Sequence, residues 1–485
     1  MADAIRELQS QVRELRAAVS EMRSEAAAYR AETAELRHEL EAARAQALAP
    51  SAIAGSETFA VPAANSGIEA QAVSGKNLED RVASLEESSQ LLSSKVDEQY
   101  QTKVEGASKY RIRLSGVVLM NLFGNRGTVD NQDVPTIATV PGPLDASGTF
   151  GATMRQSELG LEIFGPRVAG ARTSGQLQLD FAGGFPNTLD GGNYGLIRLR
   201  IGSLRMDWQR TSIVAGQDGL FLSPLSPTSY ASLAVPALGY AGNLWGWIPQ
   251  IRVEHRFDFA DQSITLQGGI IDNMVGEPPY AQVNRLPSSG EKTSQPAFGT
   301  RIAWSRSIHG QPLKLGMAGY YSRQNWGLER YTDGWAGMAD WQIPLWYRLS
   351  LSGEFYRGRA MGGLGGADGR SALYSGNINT ATTEIIGLDT VGGWSQVKFR
   401  ATPKLEFNGA FGLDNPYAED LRLFPVSQSY YSPFLAQNRS GMLNFVYWPR
   451  SNLLVSTEYR RLRTFQVNRN AQTAGQINLT MGILF

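Results

Sequence analysis

"INLTMGILF", residues 477–485, alternates without a break: Ile477, Leu479, Met481, Ile483 and Phe485 share one side of a two-residue period, and Asn478, Thr480 and Gly482 the other. Side chains at i, i+2 and i+4 line one face of a strand, so this stretch predicts a strand with one apolar and one polar face. The same pattern runs back through the chain. "YRIRLSGVVLM" (110–120) sets Tyr110, Ile112, Leu114, Val118 and Met120 against Arg111, Arg113 and Ser115, and "GQLQLDF" (175–181) sets Leu177, Leu179 and Phe181 against Gln176, Gln178 and Asp180. Sixteen such segments can be marked from Tyr110 onward, with no convincing helix among them.

Alternation also occurs in soluble sandwiches, so other features must decide. Apolar faces carry aromatics near their ends, among them Tyr110, Trp304, Tyr321, Trp335, Tyr347, Phe355, Tyr447, Tyr459 and Phe485. Short turns expected near Gly165-Pro166, Asp258, Ser307–His309, Pro344, Thr402-Pro403 and Pro449-Arg450 alternate with long loops at 125–150, 182–193, 217–245, 273–296, 358–390 and 413–437. The polar faces are too charged for a packed core. Together these predict an all-β transmembrane antiparallel barrel of sixteen strands over 109–485, closed because hydrocarbon leaves no backbone N–H or C=O unpaired.

Composition sets outer bounds. The chain has 485 residues, 45 basic and 45 acidic, and no cysteine. Zero net charge gives no field for nucleic acid. Thiolate metal sites and cysteine nucleophiles are excluded, and His38, His255 and His309 are too scattered to group. No cofactor or metal is expected. No apolar run is long enough for a helical span. The opening "MADAIRELQS" is no secretory leader; export is nonetheless expected, with the leader removed.

Residues 1–49 carry a different period. Ile5, Leu8, Val12, Leu15, Val19 and Met22 begin an a/d heptad register that predicts a parallel coiled coil roughly 65 Å long. In a parallel bundle, g reaches e of the neighbouring chain, pairing Glu25 with Arg30, Glu32 with Arg37 and Glu39 with Arg44. Pro50 ends the helix, 50–77 reads as an Ala/Ser/Gly linker, and 78–106 as a second, shorter coiled coil. With an even strand number, both barrel ends lie on the short-turn side, which places this stalk in the periplasm.

Several stretches resemble the porins of Gram-negative bacteria: "RQSELGLEIFGP" (155–166), "LRIGSLRMDW" (199–208) with "IVAGQD" (213–218), "PQIRVEHRF" (249–257), "GEFYRGRAMGGLGGADG" (353–369), "GLDNP" (412–416) and "NRSGMLNFVYWPRSNLLVSTEYRRLRTF" (438–465). A periplasmic coiled coil before a sixteen-stranded barrel is most similar to the DcaP-like group. That resemblance implies a homotrimer in the outer membrane, surrounded by its lipid and lipopolysaccharide, passing small anionic solutes such as dicarboxylates. Glu158 departs from relatives that often carry a basic residue after Gln-Ser.

Strand phase gives an inward list with about thirteen basic and about seven acidic groups. Arg113, Arg198, Arg200, Arg252, Arg301 and Lys398 are placed near mid-height, as a constriction that favours anions. The connection 217–245 matches in order the loop that folds inward in porins, and its Asp218, Tyr230 and Tyr240 are expected to face those cations. Pairing of the arginines with inward glutamates is the alternative, most plainly for Arg252, Glu254 and Arg256 on one face. An enzymatic barrel lacks a serine–histidine pair, so no enzyme is expected. Two other functions remain: a tether to the cell wall through peptidoglycan, and a sugar-specific porin, which needs a ladder of lumen aromatics and offers only Trp346 and Tyr356.

Overall fold

The computed structural model describes residues 111–185, 195–277, 284–308, 310–424 and 435–485. The stalk, the linker, the second coiled coil and the pairs Glu25–Arg30, Glu32–Arg37 and Glu39–Arg44 lie outside them, as do Tyr110 and His309.

Alternating sequence becomes strand after strand: β1 (Arg111–Arg126), β2 (Gly148–Thr153), β3 (Glu158–Val168), β4 (Ala171–Asp180), β5 (Arg198–Asp207), β6 (Thr211–Gly219), β7 (Trp247–Phe259), β8 (Gln262–Ile271), β9 (Ala297–Ile308) and β10 (Gln311–Asn325). Then come β11 (Tyr331–Trp346), β12 (Leu349–Arg359), β13 (Ala372–Tyr374), β14 (Ile385–Gly387), β15 (Asp389–Thr402), β16 (Leu405–Pro416), β17 (Leu435–Arg450), β18 (Leu453–Gln466) and β19 (Gln472–Leu484). β13 and β14 pair only with each other. The rest form one 17-stranded antiparallel sheet in which β2 and β3 both run along β1, so the barrel has sixteen staves. One helical turn, Ala418–Leu423, lies in the connection after β16.

The ring closes between the first and last strands, in register from Val117 opposite Leu484 to Arg126 opposite Gly475. Phe485 completes the seam: its N–H donates to the Gly116 carbonyl at 3.1 Å and its carbonyl accepts from Gly116 N–H at 2.9 Å. A Cβ on Gly116 would stand 2.8 Å from the Phe485 ring, which is why this position carries no side chain.

Side chains are sorted inside-out. Outward positions are apolar and exposed, with Leu443 65% and Ile477 60% accessible. Inward positions are polar and covered, among them Asn121, Gln396, Asn444, Glu458, Arg460, Asn478 and Thr480. The inward phases expected for the charged strand residues agree with this pattern; Arg348 falls in a turn, and Trp346, also expected inward, is carried past a register shift to lie exposed opposite Leu349. Several turns, however, lie further along the chain than expected, at Ala169-Gly170, Ala260-Asp261, Tyr347-Arg348 and Ser451-Asn452. Gly165-Pro166 and Pro344 instead sit in strands, at register shifts between Phe164 and Arg167 and between Pro344 and Trp346. A proline that cannot donate to the ladder is accommodated at a bulge.

Candidate functional site

The connection 220–246 leaves β6, enters the lumen and returns to β7. It turns inward because the far wall offers acceptors and donors to its backbone and hydroxyls. Ser223 Oγ and Leu225 N–H donate to Glu354 at 2.6 and 2.8 Å, Thr228 N–H to Gln396 at 2.6 Å, and Ser229 Oγ to Glu458 at 2.6 Å. Asn121 donates to the Tyr230 carbonyl at 3.1 Å. Where β2 and β3 are interrupted, Gln156 accepts from Leu233 N–H at 2.7 Å. Leu220, Phe221, Leu222 and Leu244 pack with Tyr320, Met338, Tyr356 and Met361, so the segment is also held by an apolar core inside a polar barrel.

Beside this connection, at the loop ends of their strands, stand four of the expected basic residues. Arg198 and Arg200 of β5 stack on the Trp247 indole, with guanidinium carbons 4.9 and 4.5 Å from its centre. Arg252 of β7 lies 5.6 Å from the Phe221 ring. Arg200, Arg252 and Arg301 line a hollow of about 340 Å³ with Asp218, Trp245, Trp247 and Gln267.

Each guanidinium also meets a wall carboxylate. Arg198 contacts Asp180 at 2.5 Å, Arg200 contacts Glu158, Arg252 reaches Asp218 at 2.8 Å and Glu254 at 2.7 Å, and Arg301 reaches Asp340 at 2.8 Å. The local charge is thus close to balanced rather than strongly positive. Guanidinium has five donors, and among the described residues Nη2 of Arg200 and of Arg252 has no hydrogen-bond partner. These are the groups free to meet a solute.

The other expected residues lie elsewhere. Arg113 sits at the turn end of β1, exposed and 3.4 Å from Glu162, its direct cross-strand neighbour. Lys398 is 3.3 Å from Glu406, near the turn end of β15. Neither joins the cluster, because depth in a tilted barrel depends on strand stagger as well as on position along a strand. Asp218 belongs to the end of β6 rather than to the loop, where it meets Arg252. Tyr230 packs edge-on against Trp448 across the lumen, away from the arginines. Tyr240 packs against Trp245, and its carbonyl accepts from Asn438. Of the two expected lumen aromatics, Trp346 is exposed beside Tyr347 and Tyr356 is sealed under the connection.

Phe221, Trp245, Trp247 and Asp340 are the residues that sequence reasoning missed. "NLWGW" (243–247) carried a signal, since two indoles ending a loop beside an arginine strand can supply ring faces. Asp340 shares a phase with Thr332, Gly334, Ala336 and Met338 of β11 and was legible from alternation. His255 faces outward and hydrogen-bonds Thr211 at 2.8 Å.

No protein-family model matches this chain, and no curated protein matches it. Among solved structures it is similar to the outer membrane channel DcaP of Acinetobacter baumannii, with a TM-score of 0.59 and 15% identity over 78% of this chain and 99% of that one. An anion-selective porin from Comamonas acidovorans (TM-score 0.48, 11% identity, 78% of this chain and 100% of that one) and OprB of Pseudomonas putida (TM-score 0.48, 13% identity, 77% and 94%) are also similar. At such identities the likeness is one of fold: this chain folds as the kind of closed antiparallel barrel seen in the outer membrane channel DcaP.

Proposed function

We propose that this outer-membrane barrel is a passive diffusion channel for small hydrophilic solutes, with a preference for anions such as dicarboxylates. The observation that carries this reading is the convergence of Arg200, Arg252 and Arg301 on a hollow bounded by the infolded connection, with Arg198 stacked on the Trp247 indole that also lines it. Guanidinium edges match carboxylates in shape. Because each arginine already touches an acid, the preference is modest and set by hydrogen-bond geometry more than by net field. The same reading makes the chain a non-enzymatic member of the DcaP-like group, assembled as a homotrimer with its stalk in the periplasm, where it can approach peptidoglycan. Reversal potentials in a salt gradient test the preference, and cation selectivity refutes it. Native mass tests the subunit number. Deleting residues 1–105 while following conductance and envelope integrity separates conduction from tethering.

A sugar-specific channel is favoured by one observation. Tyr240, Trp245 and Trp247 form an edge-to-face series at 5.8 and 5.4 Å between ring centres, a short ladder of the kind that sugar rings stack on. Liposome swelling with a neutral disaccharide and with a dicarboxylate distinguishes the two: faster sugar entry would favour this second reading.

A further inference from the structure

The outward face between β17 and β1 breaks the rule that the outside of this barrel is apolar. Arg439 of β17 and Arg463 of β18 both point outward and are direct cross-strand neighbours. Each guanidinium carbon lies 5.1 Å from the same Phe465 ring. Arg461 is opposite Gly441 on one side and Gly475 on the other, and Gly475 is in turn opposite Arg126 of β1. Neither glycine places a charged side chain between these cations; the Tyr459 ring lies over Gly475 and Phe411 beside Gly441.

Like charges directly opposite one another destabilise a sheet. None of the four has a carboxylate partner among the described residues. Elsewhere on the outward face the arrangement differs: Arg323 lies 4.0 Å from Asp333, Arg359 lies 2.5 Å from Asp389, and Arg357 covers the Tyr417 ring. The four-arginine patch therefore calls for an anion that the described residues do not supply.

Its position says which one. All four arginines stand toward the long-loop ends of their strands, and on the same outward face, further from those ends, are Leu443, Tyr459 and Ile477. A hollow of about 860 Å³ joins the two zones: Arg126 and Arg461 line it together with Tyr459 and Ile477, and its one acid is Asp145. A ligand fitting this surface has phosphate at its head and acyl chains below it. We propose that Arg126, Arg439, Arg461 and Arg463 form a docking site for the phosphorylated head of a glycolipid in the surrounding outer leaflet, with its acyl chains on Leu443, Tyr459 and Ile477. The assignment uses the barrel's membrane setting and is independent of which solute crosses the lumen.

Native mass spectrometry of the full-length protein in detergent tests it, with lipid A carrying two phosphates and the same lipid stripped of phosphate as probes. The wild type retains the phosphorylated form preferentially. Arg439→Gln with Arg463→Gln weakens retention roughly thirtyfold, from the attraction each basic side chain contributes at a membrane surface. The lysine double variant keeps most of the binding, and Arg323→Gln with Arg359→Gln, on the acid-paired side, keeps all of it. Equal retention of both lipids by the wild type would overturn the proposal, as would equal loss from the acid-paired variant. Full displacement by inorganic phosphate would assign the site to free anions instead. A change in subunit number with lipid retention unaltered would make the surface a subunit contact.

Discussion

Replacing Glu458 with alanine would loosen the infolded connection without opening the barrel. One carboxylate oxygen accepts from Arg460 Nε at 3.1 Å and Nη2 at 2.7 Å; the other accepts from Ser229 Oγ at 2.6 Å and Asn444 at 3.1 Å. The Arg460 and Glu458 side chains are only 3% and 2% exposed. Alanine leaves the guanidinium buried with little beyond Ser232 Oγ at 3.2 Å and the Pro135 carbonyl at 3.4 Å. Breaking such a pair costs about 3–5 kcal/mol. The backbone ladders from β17 to β19 do not involve this side chain, so the cost falls on Ser229–Ser232, still pinned at Thr228 by Gln396 and at Leu233 by Gln156. Single-channel recordings of Glu458→Ala should therefore show a folded barrel with noisier current and higher conductance. Glu458→Ala combined with Arg460→Met removes the stranded charge and should be quieter than the single variant. A single variant with wild-type conductance and noise, or a double variant noisier than the single, would refute the clamp.

The solute path, the seam and the outer connections each yield a further test. Arg200→Gln and Arg252→Gln should each weaken dicarboxylate block on the order of tenfold, from loss of a charged hydrogen bond, and move the reversal potential toward cations; unchanged values in both would remove the cluster from the path. Gly116→Val sets a Cβ 2.4 Å from the Glu158 carbonyl and 2.8 Å from the Phe485 ring, an overpacking worth about 1–3 kcal/mol, so the heat-modifiable gel transition should fall in temperature. Glu277, in the connection after β8, accepts from Ser371 N–H at 2.8 Å, and burial pushes its carboxyl up to about 7. Its folded-state value is above the unfolded one because burial disfavours the charged form, so the stability it contributes is fully present below about pH 4.5 and roughly 3 kcal/mol is lost as pH rises to about 7, even though the Ser371 N–H by itself favours the carboxylate. Amide exchange at Ser371 should be faster at pH 8 than at pH 5, after correction for intrinsic rates. Glu277→Gln should abolish that difference.

The fold was legible because period two is unambiguous once many strands share it. Arg111, Arg252, Glu354 and Arg460 take the expected inward phase, since a strand has only two faces. Other features needed three dimensions. Gly165-Pro166 and Pro344 read as turns because proline usually ends strands, yet here bulges absorb them. Arg113 and Lys398 were placed level with Arg252 by counting along strands, whereas stagger around a closed sheet sets height. Tyr230 went to the far wall because Asn121, Gln396 and Glu458 steer the path of the connection, and those partners come from distant parts of the chain.

That last fact governs timing. The segment between β6 and β7 is complete before the later half of the chain, but it is fastened chiefly to β1, β12, β15, β17 and β18. Until the final strand meets the first, most of those fastenings do not exist together. The narrowing is therefore the last part of the molecule to acquire its shape, and the same event that removes the final unpaired edges from hydrocarbon also sets the width of the passage.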